Sequence, residues 1–371
     1  MPFRPPFRPP SWPPSPLLSP PQERPALSGL TPEELSVLLN PLPSYRALQI
    51  FKWIAAGAAS FREMRNLPLS LRADLERRFT VYGSAVAERL EDRDRTVKLR
   101  ISLRDGKRIE AVLLFDGKGR RTACLSTQAG CPAGCVFCKT GSLGFSRSLD
   151  SPEIVEQFFF LKSLGHAISN IVVMGMGEPL LNLDALRKAL RVLCHPDGAG
   201  LSPRRITVST CGIAAGIRNL ADAGPPVRLA LSLTAADQGL RERLIPMAAA
   251  NPLPRLAESL RYFQERGGGR VTLEMVLLSG INTRRQDAKA LTDFAAGLDT
   301  VINLIPWNPL EGFTFEGKAL KEPSDGEMEN FEAMLRERRL KVTRRSRKGR
   351  GILGACGQLG DLKPSAPPAG K

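Results

Sequence analysis

Cys131, Cys135 and Cys138 form a C-x3-C-x2-C run, and two more cysteines stand apart at Cys124 and Cys356. Three thiolates are one short of what a tetrahedral metal ion or an iron–sulfur cube requires. Soft thiolates suit iron–sulfur chemistry, so the run predicts a [4Fe–4S] cluster held by Cys131, Cys135 and Cys138 with one iron left open.

An open iron can bind a small molecule, and in one large enzyme class that molecule is S-adenosylmethionine (SAM). Two other readings compete. A structural zinc site takes four ligands in paired spacings, and the only histidines, His166 and His195, are far from the triplet in sequence. Seven cysteines in 371 residues are sparse for a disulfide framework, their number is odd, and no secretory signal precedes them. A reducing, cytoplasmic compartment is expected.

Such a loop needs a rigid frame and a partner for its charge. With 53 Lys+Arg against 37 Asp+Glu, the formal net charge is +16, which favours polyanions such as RNA or DNA. The densest run comprises Arg336, Arg338, Arg339, Lys341, Arg344, Arg345, Arg347, Lys348 and Arg350. It is nearly single-signed, leads into Cys356 and predicts phosphate contact. No uncharged apolar run reaches the length of a membrane span, so no membrane association is expected.

The frame is legible as elements. Residues 1–25 hold eleven prolines and read as a disordered, polyproline-like extension. Residues 30–83 read as helical. Thr31-Pro-Glu-Glu carries an N-terminal capping signal, and 44–54 shows apolar residues at helical spacing. A β-hairpin is predicted from 96–103 and 109–115 about an Asp105-Gly106 turn. Strands are then expected at 122–125, 170–174, 205–209, 227–233, 270–278 and 301–306. Amphipathic stretches such as 152–164 and 183–193 separate them.

Six such units in series predict an α/β fold with a parallel sheet, open or closed into a partial barrel. Chemistry in these folds collects at the carboxyl ends of the strands. The cysteine triplet follows the first strand. Gly175-Met-Gly-Glu-Pro179, Ser209-Thr-Cys211-Gly, Ser232-Leu-Thr234 and Pro306-Trp-Asn-Pro309 end others. Each alone is a turn; together they describe a pocket. Cys194 and Cys211 read as small buried hydrophobes.

Across residues 30–360 the chain resembles the RlmN/Cfr family of radical SAM RNA methyltransferases. The resemblance rests on Phe51-Lys-Trp-Ile, Met64-Arg-Asn-Leu-Pro68, Ser126-Thr-Gln-Ala-Gly-Cys131, Met174-Gly-Met-Gly-Glu-Pro179, Asn303-Leu-Ile-Pro-Trp-Asn-Pro309 and Ala355-Cys-Gly-Gln-Leu359. It implies a partial (β/α)6 TIM-like barrel with a small N-terminal helical domain and a linking β-hairpin. The implied divisions are 1–28 (disordered extension), 29–83 (helical, RNA-binding type), 84–118 (hairpin linker), 119–345 (barrel), 346–362 (segment carrying the methyl-carrier cysteine) and 363–371 (disordered tail).

The resemblance also implies a chemistry that uses five cysteines. Carbon 2 of adenine is electron-poor and has no acidic proton, so plain methyl transfer has no nucleophile. In the family, one SAM molecule methylates the C-terminal cysteine, here Cys356. A second binds the open iron and is cleaved on reduction to a radical that takes hydrogen from S-methyl-Cys356. The methylene radical adds to adenine, and Cys124 then attacks the Cys356 sulfur, releasing product through a transient disulfide. Glu110 matches the proton acceptor. Gly177 and Glu178 match contacts to the amino end of SAM, and Ser209, Ser232, Leu233, Thr234 and Asn308 line the rest of its site. Thr234 departs from the family, which commonly has histidine there.

The expected product is 2-methyladenosine in 23S rRNA at the peptidyl-transferase centre, with tRNA, 3′ of the anticodon, as a second substrate. A flavodoxin- or ferredoxin-type electron donor and a monomeric chain are expected with it. Three alternatives remain at this stage: C8 methylation of the same rRNA adenosine, a non-enzymatic metal-containing RNA-binding protein, and an RNA methylthiotransferase.

Overall fold

The computed structural model describes residues 24–117, 119–345 and 347–360. Most of the proline-rich extension and the tail 363–371 lie outside the described residues. Residues 24–28, assigned above to the loose extension, are placed. Ala26 bridges Thr80, Leu27 is fully buried, and Ser28 Oγ donates to Glu156 Oε1 at 2.7 Å. One buried leucine and a paired hydroxyl suffice to fix a strand of chain that composition alone marks as loose.

Helices Pro32–Leu38, Ser44–Ala56 and Leu69–Arg78 follow. The first starts at the capping box expected at Thr31: its Oγ1 accepts from Glu34 N while the Glu34 carboxylate accepts from Thr31 N. The second buries Ala47, Ile50, Phe51, Ile54 and Ala55 and stops at Gly57.

The strands run β1 (Ala85–Glu91), β2 (Val97–Ser102), β3 (Arg108–Phe115), β4 (Arg121–Cys124), β5 (Gln128–Gly130), β6 (Phe145–Ser148), β7 (Asn170–Val173), β8 (Ile206–Thr210), β9 (Arg228–Ser232), β10 (Val271–Leu277), β11 (Thr300–Pro306), β12 (Thr314–Phe315), β13 (Lys318–Ala319) and β14 (Val342–Arg344). One sheet holds ten of them in the order β1-β2-β3-β4-β7-β8-β9-β10-β11-β14. β1 to β4 are antiparallel neighbours, and every pairing from β4 to β14 is parallel.

All six expected parallel strands are present, and the predicted hairpin is β2–β3. The hairpin is not a detached linker, because β3 continues the sheet through Val112↔Cys124. Two strands of this sheet were not foreseen, nor were the small pairs β5–β6 and β12–β13 outside it. β1 lies at the sheet edge, alternating exposed with half-buried residues and burying none fully, and its sequence Ala-Val-Ala-Glu-Arg-Leu-Glu shows no clean apolar alternation. β14 lies within the basic run, where charge masks its single buried residue, Val342.

Helices Ser151–Lys162, Leu183–Cys194, Ala214–Ala223, Leu253–Phe263, Arg285–Ala295 and Asp325–Glu337 supply the crossovers. Helix Ser151–Lys162 is buried nearly all round, the apolar Ile154, Val155, Phe158, Phe159, Phe160 and Leu161 together with Glu153, Glu156 and Gln157. Among the described residues no helix is long and apolar enough to cross a membrane.

Candidate functional site: a cysteine loop at the strand ends

The short hairpin β5–β6 frames the cysteine loop, and Cys131 N donates to Gly144 O across its neck at 2.9 Å. Gly130 is required there: its φ is +80°, and a Cβ would lie 2.0 Å from Gly144 O. Three distant segments then hold the loop. Val136 N donates to Leu244 O (3.0 Å) and Lys139 N to Gly357 O (2.7 Å). Trp307 Nε1 donates to Phe137 O at 2.8 Å. The loop is thus gripped by helix Gln238–Leu244, by the end of β11 and by the chain just after Cys356.

Burial pushes the Cys131 thiol up to about 12, and it raises Cys135 and Cys138 as well. The thiols also repel one another's ionised forms. Backbone N–H groups of Ala133 and Gly177 meet the Cys131 sulfur, and those of Thr140 and Gly141 meet that of Cys138. Such donors suit sulfur ligated to iron, because bound thiolate keeps excess negative charge. Among the described residues no three Cys, His or carboxylate groups converge as ligands of a single ion. Ligands of a cube each bind a different iron and therefore stand farther apart than ligands of one zinc. The donor set fits the cluster.

Gly177 and Glu178 lie at the end of β7. Gly177 has φ +102°, and a Cβ would stand 2.5 Å from Gln128 Cβ. Glu178 is buried; its Oε1 accepts from Leu180 N (2.9 Å) and its Oε2 from Cys211 N (2.7 Å). Burial raises its pKa while these amides oppose the rise. Ser209 ends β8, and its Oγ donates to Glu274 Oε2 at 3.1 Å. Ser232, Leu233 and Thr234 end β9. Thr234 holds φ +57°, uncommon for a β-branched residue. Its carbonyl accepts from Asn282 Nδ2 at 2.8 Å, and its buried Oγ1 has no partner. Asn308 Oδ1 is likewise buried and unpartnered. Two orphaned buried oxygens at the expected SAM pocket are what a polar ligand would satisfy.

Cys124 and Cys356 line one cavity with Met174, Pro306, Asn308 and Arg345. Both are free thiols. Asn308 Nδ2 donates to Cys356 O at 3.0 Å. Burial, and then the proximity of Cys356, push the Cys124 thiol up to about 12, while Arg345 pulls it down. Glu110 is fully buried. Its Oε1 meets Lys98 Nζ at 3.0 Å and Arg100 Nε at 3.3 Å, and its Oε2 accepts from Gly360 N at 2.7 Å.

The structure therefore gathers all the expected residues at one end of the sheet, with Glu110 linked to the others through the Cys356 segment. Sequence reading missed Gln128, Glu274, Arg241, Lys98 and the particular part of Arg345. Glu274, an acid inside the apolar strand β10, was the one visible signal. Cys211 is half-buried and packs against a small apolar cluster, as expected of a small hydrophobe, while its main chain bridges Glu178 and Arg241. The basic run is also less free than expected. Arg336 and Arg344 pair with Glu332, Arg345 with Glu274, and Arg347 and Arg350 with Glu322.

Comparisons with known proteins agree with this geometry. The family "Radical SAM superfamily" matches residues 125–291, a span that opens just before the cysteine loop. A probable dual-specificity RNA methyltransferase RlmN of Treponema pallidum is 49% identical over 335 residues, covering 90% of this chain and 97% of that one. A protein of the same description from Thermus thermophilus is 41% identical over 335 residues, covering 89% and 91%. The crystal structure of a radical SAM methyltransferase from Sphaerobacter thermophilus superposes with TM-score 0.85 at 37% identity, covering 90% of this chain and 99% of that one. Members of this family use a [4Fe–4S] cluster and SAM. The chain belongs to the RlmN family of radical SAM RNA methyltransferases.

Proposed function

We propose that this enzyme methylates C2 of an adenosine in 23S rRNA at the peptidyl-transferase centre, and the adenosine 3′ of the anticodon in tRNA. The observation that carries the reading is the shared cavity of Cys124 and Cys356. A methyl carrier and a resolving thiol must meet, and these two face the same space without being bonded to each other.

Cys131, Cys135 and Cys138 would hold the cluster, which with SAM supplies the one-electron chemistry that an unactivated adenine carbon requires. Gly177 and Glu178 meet the ligand's amino end, with Gln128 packed against Gly177 and the Glu178 carboxyl beside it. Ser209, Ser232, Leu233, Thr234 and Asn308 line the remainder. Cys356 Sγ accepts a methyl group as a thiolate; the new S–C bond replaces the one in the donor sulfonium. The methyl carbon would lose one hydrogen atom to the radical that the cluster and SAM supply and bond to the ring carbon; the ring would return one electron to the cluster, and Glu110 accepts the proton that leaves the substituted ring carbon. Cys124 Sγ then attacks Cys356 Sγ. The Cys356 S–C bond breaks with its electron pair left on carbon, which takes up a proton, and the Cys124–Cys356 disulfide forms. A thiol reductant restores both cysteines, and a flavodoxin- or ferredoxin-type protein supplies the single electron.

The helical residues 29–83 and the basic chain 336–350 would contact RNA, in a monomeric cytoplasmic enzyme. The test is Cys124→Ala incubated anaerobically with reconstituted cluster, reductant, SAM and unmodified 23S rRNA. RNA covalently attached at Cys356 is expected. Free methylated RNA with no adduct would remove Cys124 from the mechanism.

A further inference from the structure

Arg241 is fully buried on helix Gln238–Leu244. Its guanidinium donates to the carbonyls of Cys211, Ser232 and Leu233, so it ties the ends of β8 and β9 together. Its Nε has no partner, and among the described residues no carboxylate pairs with it. A buried cation satisfied only by carbonyls is costly, because desolvation removes hydration that neutral acceptors do not fully return. The arrangement is explicable if an anion belongs beside it.

The helix that carries Arg241 is the floor of the cysteine loop. Val136 N bonds to Leu244 O, one turn beyond Arg241. Leu240 and Leu244 pack with Phe137 in a small apolar cluster that Cys135, Cys138 and Cys211 flank. A cube bound by three thiolates carries net negative charge, which grows on reduction.

We propose that Arg241 is the fixed counter-cation of the cluster site, raising the cluster's reduction potential while it positions the strand ends that line the SAM pocket. The inference rests on the cluster reading above. Arg241 touches no reacting atom, so it is a positioning residue, and its electrical part is separable from its hydrogen bonds. The burial of a guanidinium with no carboxylate partner carries the argument, and its bond to the Cys211 carbonyl sets it beside the apolar cluster that Cys135 and Cys211 flank.

The test is an EPR-monitored redox titration of the full-length reconstituted protein and two variants, with iron and sulfide counted in each. Arg241→Lys keeps the charge; Arg241→Gln keeps amide donors for the carbonyls and loses the charge. The expected result is a potential near wild type for R241K and a lower one for R241Q at equal iron content. Equal potentials in all three would overturn the proposal. So would a failure of both R241K and R241Q to fold, since the three carbonyl bonds of the guanidinium, and not its charge, would then be what the fold requires. A wild-type chain that assembles no [4Fe–4S] signal would instead sink the cluster reading, and the two failures are distinguishable without RNA.

Discussion

Lys98 Nζ lies 3.0 Å from Glu110 Oε1, and both side chains are sealed from solvent. The same Nζ donates to Leu353 O at 3.1 Å, and Glu110 Oε2 accepts from Gly360 N at 2.7 Å. One buried ion pair thus holds the chain on both sides of Cys356. It couples the proposed proton acceptor to the proposed methyl carrier. Lys98→Met leaves Glu110 with Arg100 as its remaining cation. Breaking such a pair is expected to cost about 3 kcal/mol, read as a lower urea midpoint. Methylation should fall with it, while cluster iron stays at the wild-type level. A fully active K98M would show that the pair does not position Cys356.

Cys356→Ala should abolish RNA methylation and leave the cluster and SAM cleavage intact. The substitution removes a thiol from a cavity wall and touches none of the three loop cysteines. Turnover surviving in this variant, measured with radiolabelled SAM, would end the methyl-carrier assignment.

Gly177→Ala places a Cβ 2.5 Å from Gln128 Cβ, at φ +102°. Gln128 in turn holds Glu178, whose N donates to Gln128 Oε1 at 2.8 Å. The strain should weaken SAM binding to the reconstituted protein at least tenfold by equilibrium dialysis, about 1.4 kcal/mol or more. Unchanged affinity would mean that the β7 end does not contact the ligand.

Glu156 ties three segments together and sets a pH dependence of stability. Its carboxylate accepts from Ser28 Oγ, Gly83 N and Ser84 N, yet burial pushes its pKa up to about 7. The folded chain therefore keeps a proton that the unfolded chain has lost at lower pH. The contribution is full below the ordinary glutamate range and is lost as pH rises through about 7. The loss amounts to roughly 3 kcal/mol. Urea unfolding at pH 5 and pH 8 should show it, and Glu156→Gln should flatten it. An equally steep profile in E156Q would assign the dependence to other groups.

These residues also show where the sequence was readable. The six parallel strands were legible because each is a short apolar run, such as Val271–Leu277, bounded by turn residues. The Thr31 cap was legible because its chemistry is local. The chemical site was legible because cysteines at fixed spacing admit few uses. Arg241 was not, because a basic residue on a helix reads as solvated until the packing above it is known. Glu110 was named by the resemblance, but its pairing with Lys98 was opaque for the same reason. Their pairing depends on the register Arg100↔Glu110, which places the two strands' charges together inside the fold. Charge burial is a property of tertiary structure, and no local pattern reports it.

The central claim is the product. Unmodified 23S rRNA and tRNA would be incubated anaerobically with the reconstituted protein, reductant and SAM, digested to nucleosides and measured by mass spectrometry. The account predicts 2-methyladenosine in both RNAs. 8-Methyladenosine would contradict the assigned position, and no methylated adenosine from a chain with intact cluster and SAM cleavage would contradict the assigned substrate.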